Sequence, residues 1–155
     1  MGAYPDIEIS NLSFSYDGIP VLEDVNLSVE HGEFATIVGP NGGGKTTLLK
    51  LMLGILKPAQ GTISILGGKP EQTRLNVGYL PQYADLDPQF PVTVMDVVLL
   101  GRLGQRFGGR YSKADKQMAW KALEEVQLES TARMPFTKLS GGQKQRTLIA
   151  RALCC

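Results

Sequence analysis

At 155 residues the chain has the length of one domain, and 43% hydrophobic with 20% charged residues is typical of a globular protein with a sizeable core. The formal net charge of +1, without a cluster of lysine and arginine, is too near neutral to argue for a nucleic acid or an anionic membrane surface as a partner. Residues 1–6 lack the features of a secretion signal, and no run of about 18 apolar residues could cross a membrane. We therefore expect a cytosolic protein.

The N-terminal part of the chain predicts an antiparallel β layer. Apolar residues largely alternate over 7–14 and again over 21–29, on either side of a turn at 16–18. A second turn at 30–33 contains the one histidine, His31, which we interpret as a solvated loop residue and not as a catalyst.

Residues 39–47 match the G-x-x-x-x-G-K-[ST] phosphate-binding loop at every fixed position. They follow the apolar run 34–38, which predicts a buried strand, and overlap residues 46–53, which predict a helix. Glycine amides and a helix N-terminus suit a polyphosphate, Lys45 supplies charge for the outer phosphates, and Thr46 supplies a hydroxyl ligand for Mg²⁺. The predicted nucleotide site comprises Gly39, Pro40, Asn41, Gly42, Gly43, Gly44, Lys45, Thr46 and Thr47.

Two more strands are predicted after this loop, at 62–66 and at 77–82, and the second is ended by proline and glutamine. Beyond Gln82 the pattern becomes helical, with capping signals at the helix starts. The change of character predicts a subdomain boundary between 82 and 91.

Two capping boxes are predicted in the helical region, Thr93 with Asp96 and Ser112 with Asp115. Residues 102–109, between the two helices, predict a loop. Helical spacing assigns the apolar face of the second helix to Met118, Ala119, Ala122, Leu123 and Val126, and Trp120 is also interpreted as a packing residue.

A second anion site is predicted at 139–146, where Leu-Ser-Gly-Gly-Gln leads into a helix that Ser140 can cap. Leu-Ser-Gly-Gly-Gln after a phosphate loop is the signature of ATP-binding cassette (ABC) ATPases, and the chain resembles this family from Ile7 to Leu153. The resemblance implies an α/β fold, a P-loop NTPase core of the ABC type with an N-terminal antiparallel β layer and a helical subdomain. It also implies that Leu139, Ser140, Gly141, Gly142 and Gln143 act in trans, on ATP held by a second copy.

The resemblance gives roles to two further side chains and implies ATP and Mg²⁺ as cofactors. Tyr16 matches the aromatic residue that stacks on adenine, and Gln82 matches the glutamine that reaches Mg²⁺ and the attacking water. Lys45 and Gln82 would then serve catalysis, while Thr46 and Gln82 would serve the metal.

The implied domain organisation has three parts. A nucleotide-binding core spans 1–81, a glutamine loop with a helical subdomain spans 82–138, and the signature motif with its following helix spans 139–155.

Within the family, residues 82–102 resemble the branch of zinc and manganese importers. This implies an ATP-binding subunit that powers metal-ion import, with a second ATP-binding subunit joined head to tail and transmembrane permease subunits as partners. Such a protein would lie on the cytoplasmic face of the cell membrane. The alternatives are a non-transport ABC ATPase, of the DNA-repair or translation kind, and a non-hydrolytic nucleotide-binding fragment.

Two departures from the family pattern stand out. Gly43 occupies a position where serine or alanine is common, and the sequence to Cys155 contains no Walker B strand with its acidic residues. We therefore interpret the chain as truncated before Walker B, and expect it to bind ATP without turnover. Asp85 and Asp87 are interpreted as solvated loop acids and not as substitute catalysts, and the adjacent Cys154 and Cys155 as incidental and not as a metal site.

Overall fold

A computed structural model describes residues 4–82, 91–105 and 110–155. The chain forms two units, one up to Arg74 and one from Leu75 onward, each with its own core. The division into 1–81, 82–138 and 139–155 stays a prediction, and most of the expected boundary segment lies outside the described residues.

The first unit contains the predicted antiparallel layer. Its strands are β1 (Ile7–Tyr16), β2 (Ile19–Val29) and β3 (Gln60–Ile65), in the order β2-β1-β3, and both pairings are antiparallel. Alternation along the strands sends apolar side chains to one face, as expected for a sheet with one buried side. The buried apolar residues of the sheet are Ile9, Leu12, Leu22, Val29, Ile63 and Ile65.

The first helix, α1 (Lys45–Met52), confirms the helix predicted after the phosphate loop. It buries Thr47, Leu48 and Leu51 and contacts β3, so the sheet supports the helix whose N-terminus ends the loop. A single turn, α2 (Pro70–Thr73), follows β3 and has proline at its start, where a missing N–H costs no hydrogen bond.

Two predicted strands are wrong, 34–38 and 77–82. Both segments lack regular secondary structure, and the side chains of Phe34 and Val38 are 95% and 84% exposed. A buried parallel strand needs neighbours for its backbone N–H and C=O groups. Among the described residues the only sheet is β2-β1-β3, and neither segment pairs with it.

The second unit is helical. Both predicted capping boxes are confirmed, with Thr93 and Ser112 each accepting from a backbone amide three residues on, while the aspartate there accepts from the amide of the capping residue. The helices are α3 (Val94–Leu99), α4 (Lys113–Glu125) and α5 (Gly141–Leu153), with 3-10 turns at Leu100–Gln105, Glu129–Thr131 and Phe136–Lys138.

The three helices pack against one another around one apolar cluster. Met118 and Trp120 are not part of it: each is 40% exposed, so their predicted packing role is wrong. The predicted loop at 102–109 is a 3-10 turn as far as Gln105, and residues 106–109 lie outside the described part. The cluster includes Val94, Val97, Val98, Ala119, Ala122, Leu123, Leu128, Phe136, Leu139, Leu148 and Cys154.

An ion pair joins the 3-10 turn after α3 to the start of α4. Arg102 Nε donates to Asp115 Oδ1 at 2.9 Å, and the two side chains are only 12% and 11% exposed. Hydrogen bonds from Ser112, and then from Arg102, lower the pKa of Asp115 from 3.8 to about 2. One carboxylate therefore completes a helix cap and neutralises a largely buried guanidinium.

Candidate nucleotide-binding site

The phosphate loop has backbone conformations that favour glycine. Gly42 and Gly44 have φ angles of 81° and 77°, and the amide of Gly43 donates to the carbonyl of Pro40 at 3.1 Å. Gly44 is the N-cap of α1, and neither a capping side chain nor an acidic residue occupies the first turn of the helix. The amides at this helix start, and the positive end of the helix dipole, are therefore available to an anion.

Lys45 closes the loop on itself. Its Nζ donates to the carbonyl oxygens of Gly39 and Pro40, at 2.8 and 2.6 Å. The ammonium group thus lies against the loop. A polyphosphate would offer it charged acceptors, which make stronger hydrogen bonds than neutral carbonyls do.

Strand β2 packs closely against the loop at Gly44. A Cβ added there would lie 2.8 Å from Leu22 Cδ2 and 3.0 Å from the carbonyl oxygen of Val21. A side chain at Gly43 would meet the carbonyl oxygen of Pro40 at 3.1 Å, so the serine or alanine common at this position would need a small shift of the loop. Gly44 is therefore required both by its φ angle and by lack of space.

The two threonines after Lys45 differ in exposure. Thr46 is exposed, whereas Thr47 is buried beneath the first turn of α1. Thr46 therefore has the hydroxyl that a nucleotide-bound Mg²⁺ could reach, and its hard oxygen suits that ion. No group of three or more His, Cys, Asp or Glu side chains able to hold a metal ion occurs among the described residues.

Tyr16 lies at the end of β1 and is 43% exposed. Its ring meets the ring of Phe14 edge to face, with centroids 4.9 Å apart and planes at 85°. Beside it lies a cavity of about 370 Å³ whose lining includes Phe14, Gly18, Pro20 and Leu22. The contact with Phe14 therefore holds the tyrosine ring, and the exposed part of the ring is available to a flat ligand.

The signature motif begins α5, and the predicted cap is confirmed. Ser140 Oγ accepts from the amide of Gln143 at 3.3 Å, and Gln143 Oε1 accepts from the amide of Ser140 at 2.9 Å. Leu139, just before the cap, is buried in the cluster of the second unit. Gly141 and Gly142 are exposed and have no atoms within 4 Å of an added Cβ, so their backbone is open to solvent.

Gln82 shares a cavity with the signature helix. The cavity measures about 430 Å³, and residues 80–82 line one part of it, with Gly141, Lys144 and Gln145 on α5. Lys144 was not singled out by the sequence; its Nζ lies 5.9 Å from the centre of the Phe136 ring. Gln82 belongs to the second unit and the phosphate loop to the first.

His31 and the two cysteines do not line the cavities described above. His31 is an exposed turn residue, as predicted, with Nδ1 3.0 Å from Asp6 Oδ2. Cys154 is buried, and burial raises the pKa of its thiol and of the thiol of Cys155. Asp85 and Asp87 lie outside the described residues.

The sequence motifs assigned no role at the site to Phe14 and Leu22, which lie between Tyr16 and the phosphate loop. Phe14 precedes Tyr16 by two positions in β1, so the alternation of strand side chains could have placed both rings on one face. No sequence signal relates Leu22 to Gly44, because their approach arises when α1 packs near β2.

Comparison with known proteins identifies relatives across the length of the chain. The sequence model described as ABC transporter matches residues 22–155. The manganese transport system ATP-binding protein of Bacillus subtilis is 45% identical over 96% of this chain and 60% of its own length. The zinc transport system ATP-binding protein of Treponema pallidum is 40% identical over 95% of this chain and 56% of its own length. The chain therefore spans a little over half the length of these curated relatives.

Solved structures show the same fold. cbiO1 from Clostridium perfringens, part of an ABC transporter complex, superposes with a TM-score of 0.81 at 28% identity, over 97% of this chain and 62% of that one. An ATP-binding cassette of an ABC transporter, in its ADP conformation, gives a TM-score of 0.80 at 25% identity, over 97% and 65%. The predicted fold class is confirmed.

Proposed function

The chain belongs to the ABC transporter family, and from that membership we propose that the protein is the ATP-binding subunit of an ABC transporter. The whole protein binds ATP with Mg²⁺ and hydrolyses the nucleotide to drive transport. The observation that carries this proposal is the glycine-rich loop that ends in an uncapped helix N-terminus, with the ammonium of Lys45 held against its carbonyls.

The phosphate loop binds the triphosphate. Amides from the loop and the first turn of α1 surround the phosphates, and Lys45 leaves the carbonyls of Gly39 and Pro40 for the outer phosphate oxygens. By the family resemblance, Thr46 and Gln82 would each supply an oxygen ligand to the Mg²⁺ that offsets phosphate charge, and Gln82 would also orient the attacking water. Support for these assignments is the exposure of both side chains.

The adenine base stacks on Tyr16. An aromatic ring that is partly exposed and held by contact with a second ring suits a flat base, because stacking needs an open face and a fixed orientation.

The signature residues act on the nucleotide of a second copy, joined head to tail. Ser140 and the open glycine amides approach the far side of that triphosphate, while Leu139 and Gln143 hold the helix start in place. Support comes from the open space around Gly141 and Gly142, into which a ligand from outside this chain would fit.

The transported substrate is a metal ion such as manganese or zinc, moved inward through transmembrane permease subunits. The relatives named above support this, since their names specify manganese and zinc transport. No helix among the described residues has the length and apolar character needed to span a bilayer. We place the subunit at the cytoplasmic face of the membrane, against its permease, with no nucleic acid as partner.

The nucleotide assignment is tested by Lys45→Ala. Loss of the ammonium aimed at the outer phosphates should weaken ATP binding at least about tenfold, on the order of 1.4 kcal/mol, by calorimetric titration. Lys50→Ala is the matched control, because Lys50 is exposed in the last turn of the same helix. Equal ATP affinities for the parent and both variants would reject the site.

The substrate assignment has a separate test. Cells that lack this protein should accumulate less manganese or zinc, measured by elemental analysis, and the Lys45→Ala form should not restore the uptake. Normal metal content together with Lys45-dependent ATP binding would reject metal import and leave the nucleotide site standing.

A further inference from the structure

Phe14 is the aromatic residue that supports Tyr16. The two side chains are two positions apart on β1, so they leave the same face of the strand. Their rings meet edge to face, with centroids 4.9 Å apart. Phe14 is half-buried and Tyr16 is more exposed, so Phe14 is the more firmly held member of the pair.

Phe14 is in turn anchored toward the phosphate loop. It lies opposite Leu22 in the β1–β2 pairing, and both residues line the same cavity. Leu22 is buried, and its Cδ2 closely approaches Gly44. A continuous series of neighbours therefore runs from Tyr16 through Phe14 and Leu22 to the N-cap of α1.

The pairing of β1 and β2 is irregular at this place. Phe14 pairs with Leu22 and Ser15 with Pro20, so Val21 is the extra residue of a bulge. The carbonyl oxygen of Val21 is the atom that would lie 3.0 Å from a Cβ at Gly44. The bulge thus brings the backbone of Val21 close to the phosphate loop, next to the position of Phe14 on the paired strand.

We propose that Phe14 is a positioning residue, which fixes the ring of Tyr16 for stacking on the adenine of bound ATP. The inference rests on the proposed function, because it assumes that Tyr16 meets the base. A tyrosine without this edge contact would sample more orientations in the free protein, and binding would have to restrict them. Phe14 therefore favours binding of the base while making no contact with the phosphates.

Titration with two ligands distinguishes a positioning role of Phe14 from a purely structural role. Phe14→Leu should weaken binding of MgATP about fivefold, while binding of inorganic tripolyphosphate with Mg²⁺ stays within about twofold of the parent. Phe14→Tyr keeps the ring and should restore ATP affinity. Glu8→Gln is the matched control, since Glu8 is exposed on the same strand and does not line the cavity beside Phe14.

A double-mutant cycle with Tyr16→Leu gives the second readout. If Phe14 acts through Tyr16, Phe14→Leu should cause no further loss of ATP affinity once Tyr16 is replaced. Should Phe14→Leu fail to fold by circular dichroism, Phe14→Met retains much of the side-chain volume without the ring and is measured in the same cycle.

Three results would overturn the inference: unchanged ATP affinity in Phe14→Leu, equal losses for ATP and tripolyphosphate, or additive losses in the cycle. If the proposed base site itself is wrong, the result is different, because Tyr16→Leu would then bind ATP with the affinity of the parent. A loss in Tyr16→Leu with none in Phe14→Leu keeps the base site and rejects only the positioning role.

Discussion

The two glycine-containing helix starts of this protein are built in opposite ways. At α1 the N-cap is Gly44 in a left-handed conformation, without a side-chain cap, and the adjacent lysine bonds to the loop. At α5 Ser140 and Gln143 form a complete capping box, and the glycines that follow have ordinary helical backbone.

The difference shows how one protein can have two kinds of anion-binding helix start. The phosphate loop leaves its amides without side-chain partners and wraps them into a cradle, so it can enclose a polyphosphate by itself. The signature helix satisfies part of its own N-terminus and exposes a flat glycine pair, which suits an approach by a ligand that another molecule already holds. The architecture thus agrees with the proposed roles in cis and in trans.

Replacing Gly44 and Gly141 by alanine should give the largest difference in effect between the two helix starts. Gly44→Ala forces a side chain into a left-handed conformation and against Val21 and Leu22, so we expect ATP affinity to fall at least about tenfold. Gly141→Ala meets no neighbouring atoms and lies within a helix, so the ATP affinity of the monomeric chain should be unchanged and the melting temperature equal or slightly higher. Equal losses of ATP affinity in both variants would remove the distinction.

Removing the cap should affect stability and not nucleotide binding. Ser140→Ala loses the acceptor for the Gln143 amide, so the free energy of unfolding should fall by about 1 kcal/mol in urea titration. Ser140→Asp retains an acceptor and a charge suited to the helix dipole, so it should keep parental stability. In the monomeric chain, ATP affinity at the phosphate loop should be unchanged in both variants; a tenfold loss in monomeric Ser140→Ala would show that the signature also serves its own nucleotide.

The smallest effect is expected at acid pH, and it concerns the capping box at the start of α4. The pKa of Asp115 is lowered to about 2 in the folded chain, so its ionised form stabilises the fold above its ordinary pKa of 3.8. This stabilisation is lost as pH falls from about 4 toward 2. Urea midpoints of Asp115→Asn should therefore change less than those of the parent over this range, and identical pH profiles would exclude the carboxylate as the cause.

Local sequence signals predicted the helix starts well. Thr93 and Ser112 form the expected capping boxes and Ser140 caps α5 as expected, because these hydrogen bonds join residues only three positions apart. The antiparallel layer was predicted for a similar reason, since alternation and tight turns bring β1 and β2 together along a short piece of chain.

Features that depend on distant partners were predicted poorly. Residues 34–38 have the composition of a buried strand, yet a strand also requires a neighbouring ladder, and the described residues supply none. Met118 and Trp120 were assigned to packing, but the face that a helix buries is chosen by the elements around it.

The helix after the phosphate loop, the capping of the signature helix and the family could all be predicted without coordinates, because each depends on contiguous residues. The approach of Leu22 to Gly44, the support of Tyr16 by Phe14, and the cavity that Gln82 shares with the start of α5 could not. Side-chain contacts of this kind follow from packing density and strand register, which depend on the whole unit and not on any one motif.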